Sequence, residues 1–327
     1  ILGAPMGSKA INWNGDVGVR SDESGVDLTL SGALEGNDVR MDSIQGQNDL
    51  GLGSVDWKGE AELKSRDEWT GSVSGDITVG EVTMGRPDAE FPVLSINALS
   101  GSFDPAEEVG IGTMKSIRID DLRLLHRDGA EGPPQILSVP VAEVDRIDLL
   151  DDGIAFGQVV TTDLKAWFDI DADGNVEYRV LLDRERNLDA LADRAAEREE
   201  RIAEDAQASD SGFGFSVAGV RTTGDTQLDF RSRAVTPEIS ITVNPLAATL
   251  GLMDSSKPDQ PTPMKLEFGV GKYTTGTFDG TINLLSEFFA LHGKGTVTDM
   301  DIALVDGYVR RGTGYAVHSG TLAAELD

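Results

Sequence analysis

The sharpest grouping of chemistry-bearing residues in the sequence is Asp169-x-Asp171-x-Asp173-Gly174. Carboxylates at alternate positions followed by glycine open a calcium-binding EF-hand loop, where hard oxygen ligands surround the ion and the glycine makes the sharp turn. The twelfth position should carry a bidentate Glu but is Val180, and the flanks alternate as strands do. The motif therefore reads as an acidic hairpin turn, with a weak calcium site at Asp169, Asp171 and Asp173 as its residual chemistry. His126, His292 and His318 lie far apart in the chain and read as surface or strand residues. Asp120-Asp121 and Asp151-Asp152 could suggest a glycosidase pair, but a chain with 57 Asp and Glu produces such neighbours in any case. There is no cysteine, no Gly-x-Ser-x-Gly elbow and no phosphate loop. The sequence thus predicts a protein that is not an enzyme and needs no cofactor.

The elements around these residues are written in period two. Val26, Leu28 and Leu30 alternate with Asp27, Thr29 and Ser31, and Leu164, Ala166, Phe168 and Ile170 with Lys165, Trp167 and Asp169. Val176, Tyr178, Val180 and Leu182 repeat the pattern, as do Ile239, Ile241 and Val243, and then Met264, Leu266, Phe268 and Val270. One apolar face against one polar face is the signature of half-buried antiparallel strands. Turn signals such as Glu35-Gly36-Asn37-Asp38 punctuate the runs. There is also an internal repeat. Ile11-x-Trp13-x-Gly15 returns as Val55-x-Trp57-x-Gly59, Ser31-Gly32-x-Leu34 as Ser74-Gly75-x-Ile77, and Val39-x-Met41 as Val82-x-Met84. Repeats of this length mean stacked units that bury a shared apolar face. Trp13 and Trp57, at equivalent positions, are expected to pack between neighbouring units.

One segment, from about Glu185 to Ala206, reads as a charged helix followed by a Ser209–Gly212 linker. The expected organisation is all-β: an elongated, curled or stacked antiparallel sheet with one charged connecting helix. Its parts are a β-repeat pair (1–90), a β module (91–183), the helix and linker (184–211) and a C-terminal β module (212–327). One thin helix cannot cover so many apolar strand faces. The sheet must close, stack, or curl around something apolar that is not protein.

Bulk properties narrow the partners. A net charge of −29 repels nucleic acid and anionic membrane surfaces. No stretch approaches the ~18 apolar residues of a membrane span. Ile1 to Met6 does not resemble a signal peptide, and the chain reads as a piece of a longer one.

The last third carries a resemblance. Phe215-x-Val217 leads to Leu228-Asp229-Phe230-Arg231-Ser232, Val235-Thr236-Pro237 and Ile239-x-Ile241-x-Val243-Asn244-Pro245-Leu246. Phe278-x-Gly280-x-Ile282, Val297-x-Asp299-Met300-Asp301-Ile302-x-Leu304, Gly314-Tyr315 and Gly320-x-Leu322 complete the order. This order is similar to the AsmA-like proteins of Gram-negative envelopes, in the large branch with a module of uncharacterised function. The resemblance implies a periplasmic body held by an inner-membrane anchor absent from this stretch. It further implies outer-membrane biogenesis or phospholipid transport through an apolar β-groove, with no catalytic residues. Val26, Leu28, Leu30, Leu164, Phe168, Leu266 and Phe268 are the groove candidates, each of which would also suit an ordinary core. Partners would be phospholipid or another acyl lipid, and envelope proteins. The alternative is a structural β rod that scaffolds an envelope assembly.

Overall fold

The computed structural model describes residues 6–22, 25–44, 48–65, 69–85, 92–104, 112–124, 136–150, 153–174, 214–285 and 290–326. The all-β expectation holds. Among the described residues eighteen strands form one sheet, accompanied by a 3-10 turn and one short helix. The strands of the first half are β1 (Met6–Gly7), β2 (Ala10–Asp22), β3 (Gly25–Ile44), β4 (Asn48–Ser65), β5 (Trp69–Gly85), β6 (Leu94–Asp104), β7 (Gly112–Leu124), β8 (Leu137–Leu150), β9 (Gly153–Thr162) and β10 (Lys165–Ile170). The second half has β11 (Gly214–Thr223), β12 (Gln227–Ser232), β13 (Ile239–Leu250), β14 (Met253–Asp254), β15 (Thr262–Val270), β16 (Thr274–Asn283), β17 (Ala290–Asp301) and β18 (Thr321–Leu326). Helix α1 spans Asp306–Thr313 and follows the 3-10 turn Ile302–Val305. The expected helix at 185–206, its linker, and the run from Val176 to Leu182 lie outside the described residues.

From β2 to β9 each strand pairs antiparallel with the next, as a meander. Parallel pairing then intervenes. β9 lies beside β11 from Gly153↔Gly214 to Thr162↔Thr223, and β10 beside β12 from Lys165↔Gln227 to Ile170↔Ser232. β9 and β10 together form one long row against the same neighbours, as do β11 and β12. Beyond them the ladder returns to antiparallel order through β13, β15, β16, β17 and β18. Among the described residues the sheet therefore continues from the 91–183 stretch into the 212–327 stretch.

The register explains the repeat. Trp13, Leu34, Trp57 and Ile77 stand in one row across β2 to β5, and Gly15, Gly32, Gly59 and Gly75 in the next. The Trp13 and Trp57 rings stack with centroids 6.1 Å apart, as expected for equivalent positions in neighbouring units. The glycine row is steric. A methyl group on Gly59 would overlap the Ser74 carbonyl, and one on Gly15 the Ser31 carbonyl. Only hydrogen at these positions lets the backbones approach so closely.

A second row crosses the sheet as a seam. Register places Asp38 opposite Gly53, Gly53 opposite Glu81, Glu81 opposite Asn97, Asn97 opposite Asp121 and Asp121 opposite Pro140. On every second strand the seam residue is left-handed: Asp38 (φ 54°), Glu81 (φ 52°), Asp121 (φ 54°) and, where β9 gives way to β10, Asp163 (φ 57°). That conformation costs a non-glycine residue about 1–2 kcal/mol and is best tolerated by Asp and Asn. It also shifts the side-chain alternation by one. Ile77 and Val79 before Glu81, and Val82 and Met84 after it, sit three apart across the seam yet belong to one side. The cluster that joins Val79, Val82 and Ile96 to Leu50, Leu52, Val55, Ile77, Leu94, Leu99, Ile119 and Leu122 demonstrates this.

Candidate functional site: the apolar face of the sheet

Paired residues in a ladder project to the same face, so one face can be followed through the molecule. Leu30 pairs with Ala61 and Ala61 with Val73, and along β5 the face continues to Val79. Val79 pairs with Leu99, then Ile119, Ala142, Thr161 and Thr222. Two residues back on β11, Val220 pairs with Leu250, and on β13 Ala248 pairs with Leu266, which pairs with Phe278. The row ends at Gly295 and Leu326. All the way it is aliphatic, aromatic, threonine or glycine.

All seven groove candidates fall on this face. Val26, Leu28 and Leu30 align with Ser65, Leu63 and Ala61. Leu164 continues the β10 alternation of Ala166, Phe168 and Ile170, and Phe168 stacks on Phe230 with centroids 6.0 Å apart. Leu266 lies between Ala248 and Phe278, and Phe268 between Leu246 and Gly276. A methyl group on Gly276 would overlap the Phe268 ring, so the aromatic covers the bare glycine backbone beside it.

Burial along the face is uneven. Ile117 is 1% exposed, and Val139, Ala142, Val144, Ile239, Met264 and Ile282 are buried as well. Towards β2 the face opens: Val19 is 68% exposed, and Leu28 and Leu30 only half-buried. All the described strands belong to one sheet, and those that approach each other most closely are ladder neighbours. The exception to strand-on-strand packing is at one end. Tyr308 of α1 donates to Ser232 Oγ at 3.1 Å, and Ser232 is fully buried on the same face as Phe230. Asp306, also buried, accepts from the Val317 backbone N–H at 2.5 Å and from Arg310 at 3.0 Å. The Val317 N–H, helped by the Arg310 and His318 charges, holds its carboxyl below the ordinary range against the opposing cost of burial.

The opposite face is polar. Thr275 and Thr277 of β16 bond to Thr298 and Thr296 of β17, each at 2.9 Å, and Lys265 pairs with Asp279 at 3.1 Å. These exposed pairs contribute little stability. They keep that face in water and leave the other as the only broad apolar surface among the described residues.

The residual metal chemistry does not assemble. The Asp171 carboxylate accepts from the Asp173 N–H at 2.9 Å, and Gly174 N–H donates to the Asp171 carbonyl at 3.2 Å, which makes a local turn. Among the described residues no three His, Cys, Asp or Glu are grouped to hold a metal ion, Asp169, Asp171 and Asp173 included. His292 stands on the polar face opposite Thr281, His318 lies on an exposed loop near Asp306, and His126 is outside the described residues. The face is therefore built from hydrocarbon, and what it offers is contact area and exclusion of water.

The seam is what the sequence reading missed. Asp38, Glu81, Asp121 and Asp163 follow one another at intervals of 43, 40 and 42 residues. Each is preceded and followed by apolar alternation of opposite parity, a signal that was available in the chain.

Comparison with family models, with curated proteins and with solved structures returned no match. Among the described residues no helix is long and apolar enough to cross a membrane.

Proposed function

We propose that this chain is a periplasmic, AsmA-like lipid-handling module whose sheet shelters acyl chains on its apolar face. One observation supports the reading above the rest. One sheet carries a continuous apolar face from Leu28 to Phe278, closely covered around Ile117 and Ile239 and open towards β2 and β3. A sheet cannot leave such a face in water at no cost, and each methylene moved onto it from water contributes ~0.8 kcal/mol. An acyl chain has the right shape for a long trough, and glycine rows and half-open β2 and β3 leave room along its length. The acidic surface does not attract anionic headgroups, so hydrocarbon contact would carry the affinity. The order of strands and turns in 215–327 supports the envelope assignment through its resemblance to AsmA-like proteins.

The test is native and lipid-extract mass spectrometry of the chain purified without harsh detergent. Stoichiometric phospholipid, lost in Leu28→Asp and Phe268→Asp variants that still fold, supports the module. The second reading, a structural rod for an envelope assembly, is favoured by the regular repeat of β2–β3 and β4–β5. A lipid-free chain with a protected, dry core would move the conclusion to that rod.

A further inference from the structure

We propose that the β2 edge is a self-association surface, which joins two copies of this chain antiparallel into one continuous sheet. The strand runs for 13 residues with unbroken register from Ala10↔Asn37 to Asp22↔Gly25 on one side, and pairs with no described strand on the other. Proteins guard such edges with bulges, prolines, charged side chains or a covering element. β2 has no bulge in its ladder, no proline and no charge on its apolar side, and its charged residues Asp16, Arg20 and Asp22 alternate onto the other side. Its apolar side is Ile11, Trp13, Gly15, Val17 and Val19, of which Ile11 is 59% and Val17 57% exposed. Charge singles the strand out too. In a chain of net charge −29, Lys9 to Asp22 holds Lys9 and Arg20 against Asp16 and Asp22.

Direction selects a β2–β2 joint. Twelve antiparallel steps and one parallel step separate β2 from β18, so these two edges run the same way. A face-preserving β2–β18 joint would be parallel and would propagate without closing. A two-fold axis through β2 gives antiparallel pairing, which is slightly more stable, and closes at two copies. The same axis keeps both apolar faces on one side. The register that sets Gly15 against the partner's Gly15 extends the Gly15–Gly32–Gly59–Gly75 row straight across the joint. It matches Trp13 with the partner's Val17, Ile11 with the partner's Val19, and Asn14 with the partner's Asp16. Moving one copy so that Asp16 faces Asp16 would oppose like charges.

The experiment is sedimentation of the chain across a concentration series at physiological salt, where the Debye length is about 8 Å. A concentration-dependent species of about 70 kDa, twice the 34.8 kDa chain, is expected. Val17→Lys and Val19→Lys put charge on the apolar side of the edge and should return the chain to monomer, with the melting temperature that the unsubstituted chain shows at dilutions where it is monomeric. The absence of native cysteine allows a register test: oxidation of mixed Asn14→Cys and Asp16→Cys chains should give the heterodisulfide at least several-fold ahead of either homodisulfide. A chain that stays monomeric overturns the proposal, as does a dimer unaffected by both lysine variants. A monomer whose β2 amides resist hydrogen exchange would also overturn it, by showing that another segment of the same chain occupies the edge. None of these outcomes depends on lipid.

Discussion

At the scale of single residues, the fold depends on positions that carry no chemistry. Gly59 sits where any Cβ would collide with the Ser74 carbonyl, so Gly59→Ala should destabilise by ~2–3 kcal/mol. Urea unfolding of the variant measures this, and a change under 0.5 kcal/mol would mean that the strands relax apart. Asp306 shows the opposite case, a residue whose charge matters. Its folded pKa is depressed, so the stabilisation it contributes is present above the ordinary carboxylate value and lost as pH falls through the folded value. Asp306→Asn is expected to lower the melting temperature at pH 7, with the difference shrinking below about pH 4. A difference that is independent of pH would show that the hydrogen bond to Val317, and not the charge, holds the α1 corner.

At the scale of elements, the seam determines which side each half-strand presents. Glu81→Gly removes the penalty for a left-handed side chain and should stabilise by ~1 kcal/mol, whereas Glu81→Val should cost ~1–2 kcal/mol. If the two variants melt alike, the left-handed geometry is not what the position requires. The seam also marks the limit of what the sequence reveals. Period-two runs such as Met264 to Val270 announced their strands directly, because alternation is the physical requirement of a half-buried sheet. The repeat from Trp13 to Trp57 was legible for the same reason, and the register confirms it. The phase shift at Asp121 and Asp163 was easy to overlook, since Asp120-Asp121 reads as an acidic pair and Asp163 as the start of a new run. The residue itself carries no side-chain signature of its backbone angle, and only the change of parity around it, from Ile117 and Ile119 to Leu122 and Leu124, records the shift. The parallel joint between β9 and β11 was equally hidden, because pairing partners 61 residues apart share no local pattern.

At the scale of the whole molecule, strand order and seam give a single sheet with one hydrocarbon face and one wet face. The groove candidates were readable as a set, from Leu28 to Phe268, because alternation alone assigns each to the apolar side of its own strand. That they share one continuous face follows only from the register. The most direct measurement of the lipid-handling account exploits this division. Trp57 stands on the apolar face, while Trp167 alternates with Ala166 and Phe168 and stands on the other. Two single-tryptophan variants, one retaining Trp57 and one Trp167, can be titrated with phospholipid brominated in mid-chain. Strong quenching of Trp57 with Trp167 unaffected is the expected result. Equal quenching of both, or none at either, would contradict the claim that this sheet takes acyl chains on its apolar face.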